Sequence, residues 1–397
     1  MLITAKTIVT GDGKTVLRDS ALCIEGNIIK AIGPLATLKA QFPDEEVKDY
    51  GDATILPGLI DLHTHIGAMH SDNADLDADD IMDLRALNEV QRALFKGVTT
   101  LRDTGCPAYI TRRINKAVKH GLVRAPRIET AGLAICSTGG HGWNGNMTIE
   151  VDGVENLRAA VRLQIREGAK WIKLMTSHRS DVSEYTQAEL DAVADEAHRW
   201  GRKVAVHTSR QPSLQMVINA GLDTIEHGCD ITPEQAKEMV QKGIVWVPTL
   251  YVHRRTLDAL QAKVAATGIE SLTEREMETY TIYTPAVGRF ERYFKEFAEM
   301  GVIIATGTDM TDTRAPITPV PEEVELMVRY GMSPVWAIGT GTLNAAKVLG
   351  LDDKLGELAE GKLADILVVA GDASGDITVL NCVEEVIFDG KVVRREI

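Results

Sequence analysis

The chain has 397 residues, of which 44% are hydrophobic and 25% are charged, and its formal net charge is −14 at pH 7. This much apolar material can form a large core, which excludes a disordered protein, and the acidic balance disfavours partners such as nucleic acid or an anionic membrane. One (β/α)₈ barrel takes about 250 residues, so the length leaves room for a second, smaller domain.

The N-terminal residues 1–56 have the pattern of short β-hairpins. Apolar and polar residues alternate over Leu2–Val9, which is followed by a turn at Gly11-Asp12-Gly13. The run Ala21–Ile24 turns at residues 25–27 and returns as Ile28–Ile32. Alternation with period two, interrupted by glycine turns, predicts strands joined in hairpins.

The middle of the chain follows a different pattern, in which short apolar runs alternate with amphipathic helical segments. In the helical segment 187–200, Leu190, Val193, Ala197 and Trp200 fall on one face. The apolar runs are Thr99–Leu101, Trp171–Leu174, Val204–Val206, Thr224–Ile225, Val245–Val247 and Ile303–Ala305. About eight strands between residues 60 and 304, each followed by a helix, predict a parallel (β/α)₈ TIM barrel.

The C-terminal residues return to the hairpin pattern. Apolar runs at 365–369 and 383–388 are followed by a turn at Asp389-Gly390 and a short run at 391–393. We therefore expect an α/β protein in which a barrel domain, residues 57–352, is joined to a small β-sandwich. Residues 1–56 and 353–397 would build this second, composite domain together.

Five polar side chains stand where predicted barrel strands end. His63 and His65 close the first strand and point to the same face because residues i and i+2 share a face. His207, His227 and Asp309 close three later strands. Barrel enzymes hold their chemistry at this edge, and converging imidazoles are either metal ligands or a costly burial of polar groups. The pattern favours a metal site.

Lys173 lies inside the apolar strand Trp171–Met175. Burial would lower its pKa, and a neutral amine can react with CO₂ to form a carbamate, an anionic ligand able to bridge two cations. The alternative is a lysine that reaches the strand end and pairs with an acid. Its position opposite four histidines favours the carbamate.

These residues together resemble the amidohydrolase superfamily, which includes urease, dihydroorotase, phosphotriesterase and imidazolonepropionase. ILPGLIDLHTH at 55–65 is similar to the family's first-strand signature. GTLNAAKVLGLDDKLGELAEGKLADILVV at 341–369 is similar to the segment that leads back to its small β-domain. The resemblance covers the whole chain.

The resemblance implies two divalent metal ions as cofactors, for which imidazole and carboxylate ligands suit zinc. His63, His65 and Asp309 would hold the more buried ion, and His207 and His227 the more exposed one. Carboxylated Lys173 would bridge them beside a hydroxide, because two cations lower the pKa of a bridging water. Asp309 would also move the proton to the leaving nitrogen.

Within the family, the branch related to imidazolonepropionase that contains bacterial Xaa-Pro dipeptidases and Xaa-Arg(Lys) carboxypeptidases is the most similar. By this resemblance, His141 in the loop after strand three would face the substrate, and Tyr251 at the end of strand seven would stabilise the tetrahedral oxyanion. The alternatives are a loop histidine in water and a packed aromatic ring.

Other charged residues near the predicted site allow two interpretations. His178, Arg179 and Arg254 could bind a substrate carboxylate, or the first two could only close the pocket and Arg254 could be a solvated charge at a helix start. The acidic run 72–83 could favour a cationic substrate, although such runs are usually solvated surface.

We therefore predict a binuclear hydrolase that cleaves the amide or peptide bond of a small molecule, with a dipeptide as the expected substrate. Hydrolysis of another C–N bond, in a cyclic amide, an N-acyl amino acid or a urea or carbamate compound, is the first alternative. A mononuclear deaminase and a non-catalytic binding protein are the others.

The sequence also bears on the compartment and on assembly. Five scattered cysteines without a CxxC pair indicate reduced thiols. Neither a signal peptide nor an apolar stretch near the ~20 residues of a membrane helix is visible. We expect a soluble, cytoplasmic homo-oligomer with a small-molecule substrate and no membrane partner.

Overall fold

The computed structural model describes residues 1–68, 81–143, 145–177, 182–309 and 318–393. Within these ranges, strands occupy both ends of the sequence and alternate with helices between them. The helices found there lack the combination of length and apolar character that crossing a lipid bilayer requires.

The N-terminal strands pair in hairpins, as the alternation predicts. They are β1 (Leu2–Thr4), β2 (Thr7–Val9), β3 (Val16–Leu17), β4 (Ser20–Glu25), β5 (Ile28–Pro34), β6 (Val47–Asp49) and β7 (Ala53–Pro57). β2 pairs antiparallel with β3, and β4 pairs antiparallel with β5. The expected run over residues 2–9 is divided between sheets, because β1 pairs with β4 and β6 whereas β2 pairs with β3 and β7.

The middle of the chain contributes parallel strands. They are β8 (Leu59–Thr64), β9 (Val98–Asp103), β10 (Arg127–Thr130), β11 (Ala134–Cys136), β12 (Thr148–Glu150), β13 (Trp171–Met175), β14 (Lys203–Thr208), β15 (Thr224–His227) and β16 (Val245–Val247). They pair in the orders β10-β9-β8 and β12-β11-β13-β14-β15-β16. The prediction of a parallel α/β arrangement is confirmed.

The expected eighth strand at 303–305 is reduced to a single parallel bridge between Trp246 and Ile304. The Thr306 N–H donates to the Thr340 carbonyl, 3.2 Å away, so a regular ladder does not continue. The segment still lies between two strands, since the Ala305 N–H donates to Trp246 and the Leu62 N–H donates to Thr306.

Helices lie between most of the parallel strands, and further helices lie before and after this region. They are α1 (Leu35–Gln41), α2 (Met82–Phe95), α3 (Ile110–Lys119), α4 (Val154–Arg166), α5 (Gln187–Arg199), α6 (Ser213–Ala220), α7 (Pro233–Lys242), α8 (Leu250–Thr267), α9 (Glu274–Met300), α10 (Val320–Arg329), α11 (Pro334–Gly339) and α12 (Ala345–Leu349). The predicted helix at 187–200 is α5, which begins with a capping box between Thr186 and Glu189.

Both ends of the chain meet in one sheet. The last strands are β17 (Ile366–Ala370), β18 (Val383–Phe388) and β19 (Lys391–Val393), in the order β19-β18-β17-β7-β2-β3. The other sheet of terminal strands has the order β5-β4-β1-β6. Its residues Ile3 and Ile24 pack with Ile55, Ile366 and Ile387 of the first sheet in a single hydrophobic cluster. The terminal strands therefore share a core of their own.

Candidate active site

The structure brings the six side chains expected to bind metal to one place, at the carboxyl ends of the parallel strands. They are His63 and His65 at the end of β8, Lys173 in β13, His207 in β14, His227 at the end of β15, and Asp309 beyond the bridge at Ile304. Parallel strands direct their carboxyl ends to the same edge, which is why residues so distant in sequence meet there.

Asp309 stands at the centre of this group. Its Oδ1 lies 3.3 Å from Nε2 of His63 and 3.4 Å from Nε2 of His65, and its Oδ2 lies 3.9 Å from Nε2 of His227. One ligand atom from each of His63, His227 and Asp309 lies within 4.8 Å of the other two. This spacing is compatible with a shared cation.

Lys173 is fully buried beside these groups, and its Nζ lies 3.5 Å from Nε2 of His63. Burial is the main reason that its pKa is lowered to about 8. At neutral pH the amine is still mostly protonated, but its neutral fraction is far larger than that of an exposed lysine.

The electrostatics of the site favour neutral imidazoles beside an ionised carboxylate. Burial lowers the pKa of His63 to about 4 and the pKa values of His207 and His227 well below their usual range. Burial would raise the pKa of Asp309, but His63 and His65 outweigh it and hold that pKa below its usual value. Neutral imidazole and ionised carboxylate are the forms that bind metal.

Three of the four histidines expected to bind metal have their Nδ1 atoms engaged. Nδ1 of His63 lies 2.7 Å from Glu226 Oε2, and Nδ1 of His65 lies 3.0 Å from the Gly105 carbonyl. Both acceptors require a proton on Nδ1, which leaves the Nε2 lone pair free. Nδ1 of His227 lies 2.7 Å from the Thr249 hydroxyl.

The donor set fits a divalent cation. Nε2 of His227 is buried and has no hydrogen-bond partner among the described residues. Such an orphaned atom is costly unless something else satisfies it. Imidazole nitrogens with a carboxylate form a ligand set typical of zinc and similar ions.

The backbone at several strand ends adopts the left-handed region that non-glycine residues rarely occupy. Ser177 has φ 69°, His227 66°, Thr249 50° and Asp309 49°. Such residues concentrate where a protein fixes a functional group at some cost in strain. Here they turn the chain at the edge where the polar side chains meet.

Gly307 allows the segment before Asp309 to pack directly on the first strand. A Cβ at this position would lie 2.4 Å from Val247 Cγ1 and 2.7 Å from His63 Cβ. The absence of a side chain at position 307 is thus required by close contact with Val247 and His63.

The sequence did not identify a buried ion pair behind His63. Arg102 donates to Glu226 over 2.7 Å, and both side chains are completely buried. Each is a charged residue inside a strand that is buried along its whole length, which is the signal that could have indicated them. Asp61 was also missed; it accepts hydrogen bonds from the backbone N–H groups of His63 and Thr308.

His141 faces the site rather than open water. Its ring stacks on that of His207, with 3.8 Å between the ring centroids and an interplanar angle of 17°. Its backbone N–H donates to Glu184 Oε2 over 3.2 Å. The loop after β11 therefore brings His141 to a predicted metal ligand.

The sequence suggested that Tyr251 lies at the end of a strand. In the structure it lies in the first turn of α8. Its backbone N–H donates to Glu323 Oε2 over 2.7 Å, and its charged neighbours include Glu322 and Glu325. Within the described ranges, its hydroxyl makes no hydrogen bond to the site histidines or to Asp309. The predicted role of Tyr251 thus remains a prediction.

A second group of rings, built around His253, adjoins His227. The ring of buried His253 lies 5.6 Å from the ring of His227 and 4.6 Å from that of Tyr283. Cys229 Sγ lies 3.5 Å from Nε2 of His253. These side chains form the wall of the site toward α9.

The remaining charged candidates divide into two groups. Arg254 pairs with Asp258 and lies 3.2 Å from Glu291 Oε1, so its cation is engaged between α8 and α9. His178, Arg179 and the acidic residues 72–80 lie outside the described residues.

Residues 54–393 match the amidohydrolase family. The chain belongs to this family. The match spans all six residues of the site and the C-terminal strands β17 to β19, and among the N-terminal strands it covers only β7 from its second residue.

Individual relatives agree with the assignment. The chain is 29% identical to ochratoxinase of Aspergillus niger over 95% of its own length and 82% of that protein. A Xaa-Pro dipeptidase crystallised with methionine in its active site superposes with a TM-score of 0.85 and 29% identity, covering 99% of both chains. Imidazolonepropionase of Geobacillus kaustophilus is 23% identical over 95% of this chain and 91% of its own.

These matches confirm the resemblance inferred from the sequence, including its imidazolonepropionase and Xaa-Pro dipeptidase branches. The protein is a hydrolytic enzyme, an amidohydrolase that acts on C–N bonds. The family generally uses divalent metals, in agreement with the donor set described above.

Proposed function

We propose that this amidohydrolase is a binuclear metal-dependent enzyme that cleaves the amide or peptide bond of a small substrate, and that this substrate is a dipeptide of the Xaa-Pro or Xaa-Arg/Lys type. The observation that carries the proposal is the convergence of four imidazoles, Asp309 and the buried amine of Lys173 on one point.

In this proposal, two sets of residues hold two divalent ions, with zinc as the expected metal. His63, His65 and Asp309 hold one ion, and His207 and His227 hold the other. When bound, the ions supply an activated water and polarise the scissile carbonyl. Asp309 would accept a proton from the attacking water and deliver it to the leaving nitrogen, a role that its central position among the histidines supports.

Lys173 is proposed to carry a carbamate that bridges the ions. Its complete burial and its 3.5 Å approach to His63 support this role, because a charged ammonium would repel cations held there. A mononuclear deaminase is less compatible with an amine at this position. Metal content per chain and the mass of Lys173-containing peptides under non-acidic conditions separate the two.

His141 and Tyr251 are proposed to contact the substrate. The stacking of His141 on His207 supports a position at the substrate face. Tyr251 is kept as the candidate that stabilises the oxyanion. Tyr251→Phe tests this, since loss of the hydroxyl should lower kcat more than it raises KM.

The two kinds of relative favour different substrates. The structural neighbour described as a Xaa-Pro dipeptidase supports a dipeptide, and its bound methionine supports an amino-acid subsite. Similarity to ochratoxinase equally supports a small amide that is not a dipeptide.

We also infer that the parallel strands close into a (β/α)₈ barrel over residues 57–352, with residues 1–56 and 353–397 forming a β-sandwich. Hydrogen bonds from the segment at 303–306 to both β16 and β8 support closure. The hydrophobic cluster shared by the two terminal sheets supports the sandwich.

The deciding experiment has two parts. Elemental analysis of the purified protein should find two equivalents of divalent metal, and chelation should abolish hydrolysis until metal is restored. A panel of Xaa-Pro dipeptides, Xaa-Arg dipeptides, N-acyl amino acids and ureas then identifies the substrate class. Turnover of the N-acyl amino acids alone would exclude the dipeptidase assignment, and the absence of stoichiometric metal would end the binuclear proposal.

A further inference from the structure

Behind His63, a continuous buried chain of polar contacts runs away from the site. Nδ1 of His63 lies 2.7 Å from one oxygen of Glu226, and the other oxygen of Glu226 accepts a hydrogen bond from Arg102 over 2.7 Å. The exposed fraction is 1% for His63 and zero for Glu226 and Arg102. No solvent screens these contacts, so each is stronger than it would be at the surface.

Arg102 is itself fixed by several strands. Its guanidinium donates to the Leu62 carbonyl and, over 3.2 Å, to Thr224 Oγ1, and it lies 4.5 Å from the centroid of the Trp171 ring. The residues involved belong to β8, β15 and β13, while Arg102 is in β9. Glu226 thus receives its partner from a rigid framework and not from a flexible surface side chain.

The other histidines with an engaged Nδ1 have weaker partners. Nδ1 of His65 donates to the Gly105 carbonyl, and Nδ1 of His227 meets the Thr249 hydroxyl. Both partners are neutral groups. A hydrogen bond to an ionised carboxylate is stronger than one to a neutral oxygen and makes the opposite ring nitrogen a better donor to a metal.

We propose that Glu226, held by Arg102, is a positioning residue that makes His63 the strongest imidazole ligand of the site, so that the ion at His63 binds first and most tightly. The ion held by His207 and His227 then binds second and exchanges more readily. This inference rests on the proposed two-metal function.

The test measures metal binding, not turnover. Metal-free protein is prepared with a chelator and titrated with Zn²⁺ against a competing chromophoric chelator, which yields two dissociation constants. Glu226→Gln removes the charge and leaves one acceptor oxygen in place of two, so that His63 and Arg102 can no longer both donate to this side chain. We expect the tighter site to weaken roughly 10- to 100-fold, with the weaker site unchanged.

Glu196→Gln is the matched control. Glu196 is also a buried carboxylate paired with arginines, but its partners Arg158, Arg162 and Arg199 lie on α4 and α5, away from the site. The Glu196→Gln variant should be less stable than the parent protein, while both Zn²⁺ dissociation constants stay unchanged. A similar loss of metal affinity in this variant would mean that general destabilisation explains the effect.

A second variant addresses folding, because Glu226→Gln leaves the buried Arg102 without its counter-charge. The double substitution Arg102→Met with Glu226→Gln removes both charges, and we expect the tighter site to remain weakened. Restored tight binding in the double variant would overturn the proposal, as would unchanged affinity in Glu226→Gln. A parent protein that binds no Zn²⁺ would instead refute the proposed function itself.

Discussion

Replacing Gly307 by alanine tests how closely the eighth strand segment packs on the first strand. The added Cβ would lie 2.4 Å from Val247 Cγ1, 2.7 Å from His63 Cβ and 3.1 Å from the His63 backbone nitrogen. Separations below 3.0 Å cannot be accommodated without movement. Since Val247 and His63 are both buried, either His63 or the segment that leads to Asp309 must shift.

The expected cost follows from this overlap. Forcing an extra methyl group into a packed interior typically costs about 1–3 kcal/mol, and we expect this loss in the free energy of unfolding, measured by urea denaturation of the metal-free protein. Because the shift displaces His63 or Asp309, Zn²⁺ affinity and turnover should also fall.

The control is Gly288→Ala in α9, where a Cβ would meet no atom within 4 Å. This change should stabilise the protein by up to about 1 kcal/mol, because alanine is a better helix former than glycine. If Gly307→Ala unfolded at the same urea concentration as the parent and kept its metal affinity, the proposed packing constraint on His63 would be refuted.

Three further outcomes are expected. Asp309→Asn should leave a folded protein that still binds metal but turns over at least about 100-fold more slowly, and full turnover would exclude proton transfer by Asp309. Lys173→Ala should lower metal content, with partial rescue of activity by short carboxylic acids; unchanged metal content would show that Lys173 does not bridge. Burial opposes ionisation of Glu196, but Arg199 and its other partners lower its pKa to about 2 from 4.5. A lowered pKa contributes stability above pH 4.5 that is lost as the pH falls toward 2, so Glu196→Gln should flatten the acid dependence of unfolding in that window. If the stability of parent and variant fell equally as the pH was lowered, this expectation would be contradicted.

The terminal hairpins, the parallel strands and the meeting of the site residues could be predicted because each depends on a local pattern. Period-two alternation marks the strands, and a polar residue directly after an apolar run marks a strand end. His63, His207 and His227 are examples, since parallel pairing alone suffices to bring them together.

Contacts between distant charged residues could not be predicted in the same way. Arg102 and Glu226 are 124 positions apart, and nothing local indicates which buried charge each will meet. The full eighth strand could not be corrected from local patterns either, for a related reason. The backbone N–H of Thr306 donates to the distant Thr340 carbonyl and does not extend a strand ladder.

The position of Tyr251 shows how a distant residue can begin a helix. Thr249, at the start of α8, is a residue type that often caps helices, but its hydroxyl meets Nδ1 of His227 and makes no capping hydrogen bond to α8. Instead the buried carboxylate of Glu323 accepts the N–H groups of Leu250 and Tyr251, at 2.8 and 2.7 Å. A cap supplied from 72 residues away is invisible to local patterns.

The placement of β7 has a consequence for synthesis of the chain. This strand, buried along its whole length, is bonded to β2 on one side and to β17 on the other, more than 300 residues later. While the ribosome is still translating the region between them, the backbone N–H and C=O groups along one edge of β7 therefore have no strand to pair with. Exposed edges of this kind attract other chains, so the nascent protein is most vulnerable to aggregation before residue 366 emerges.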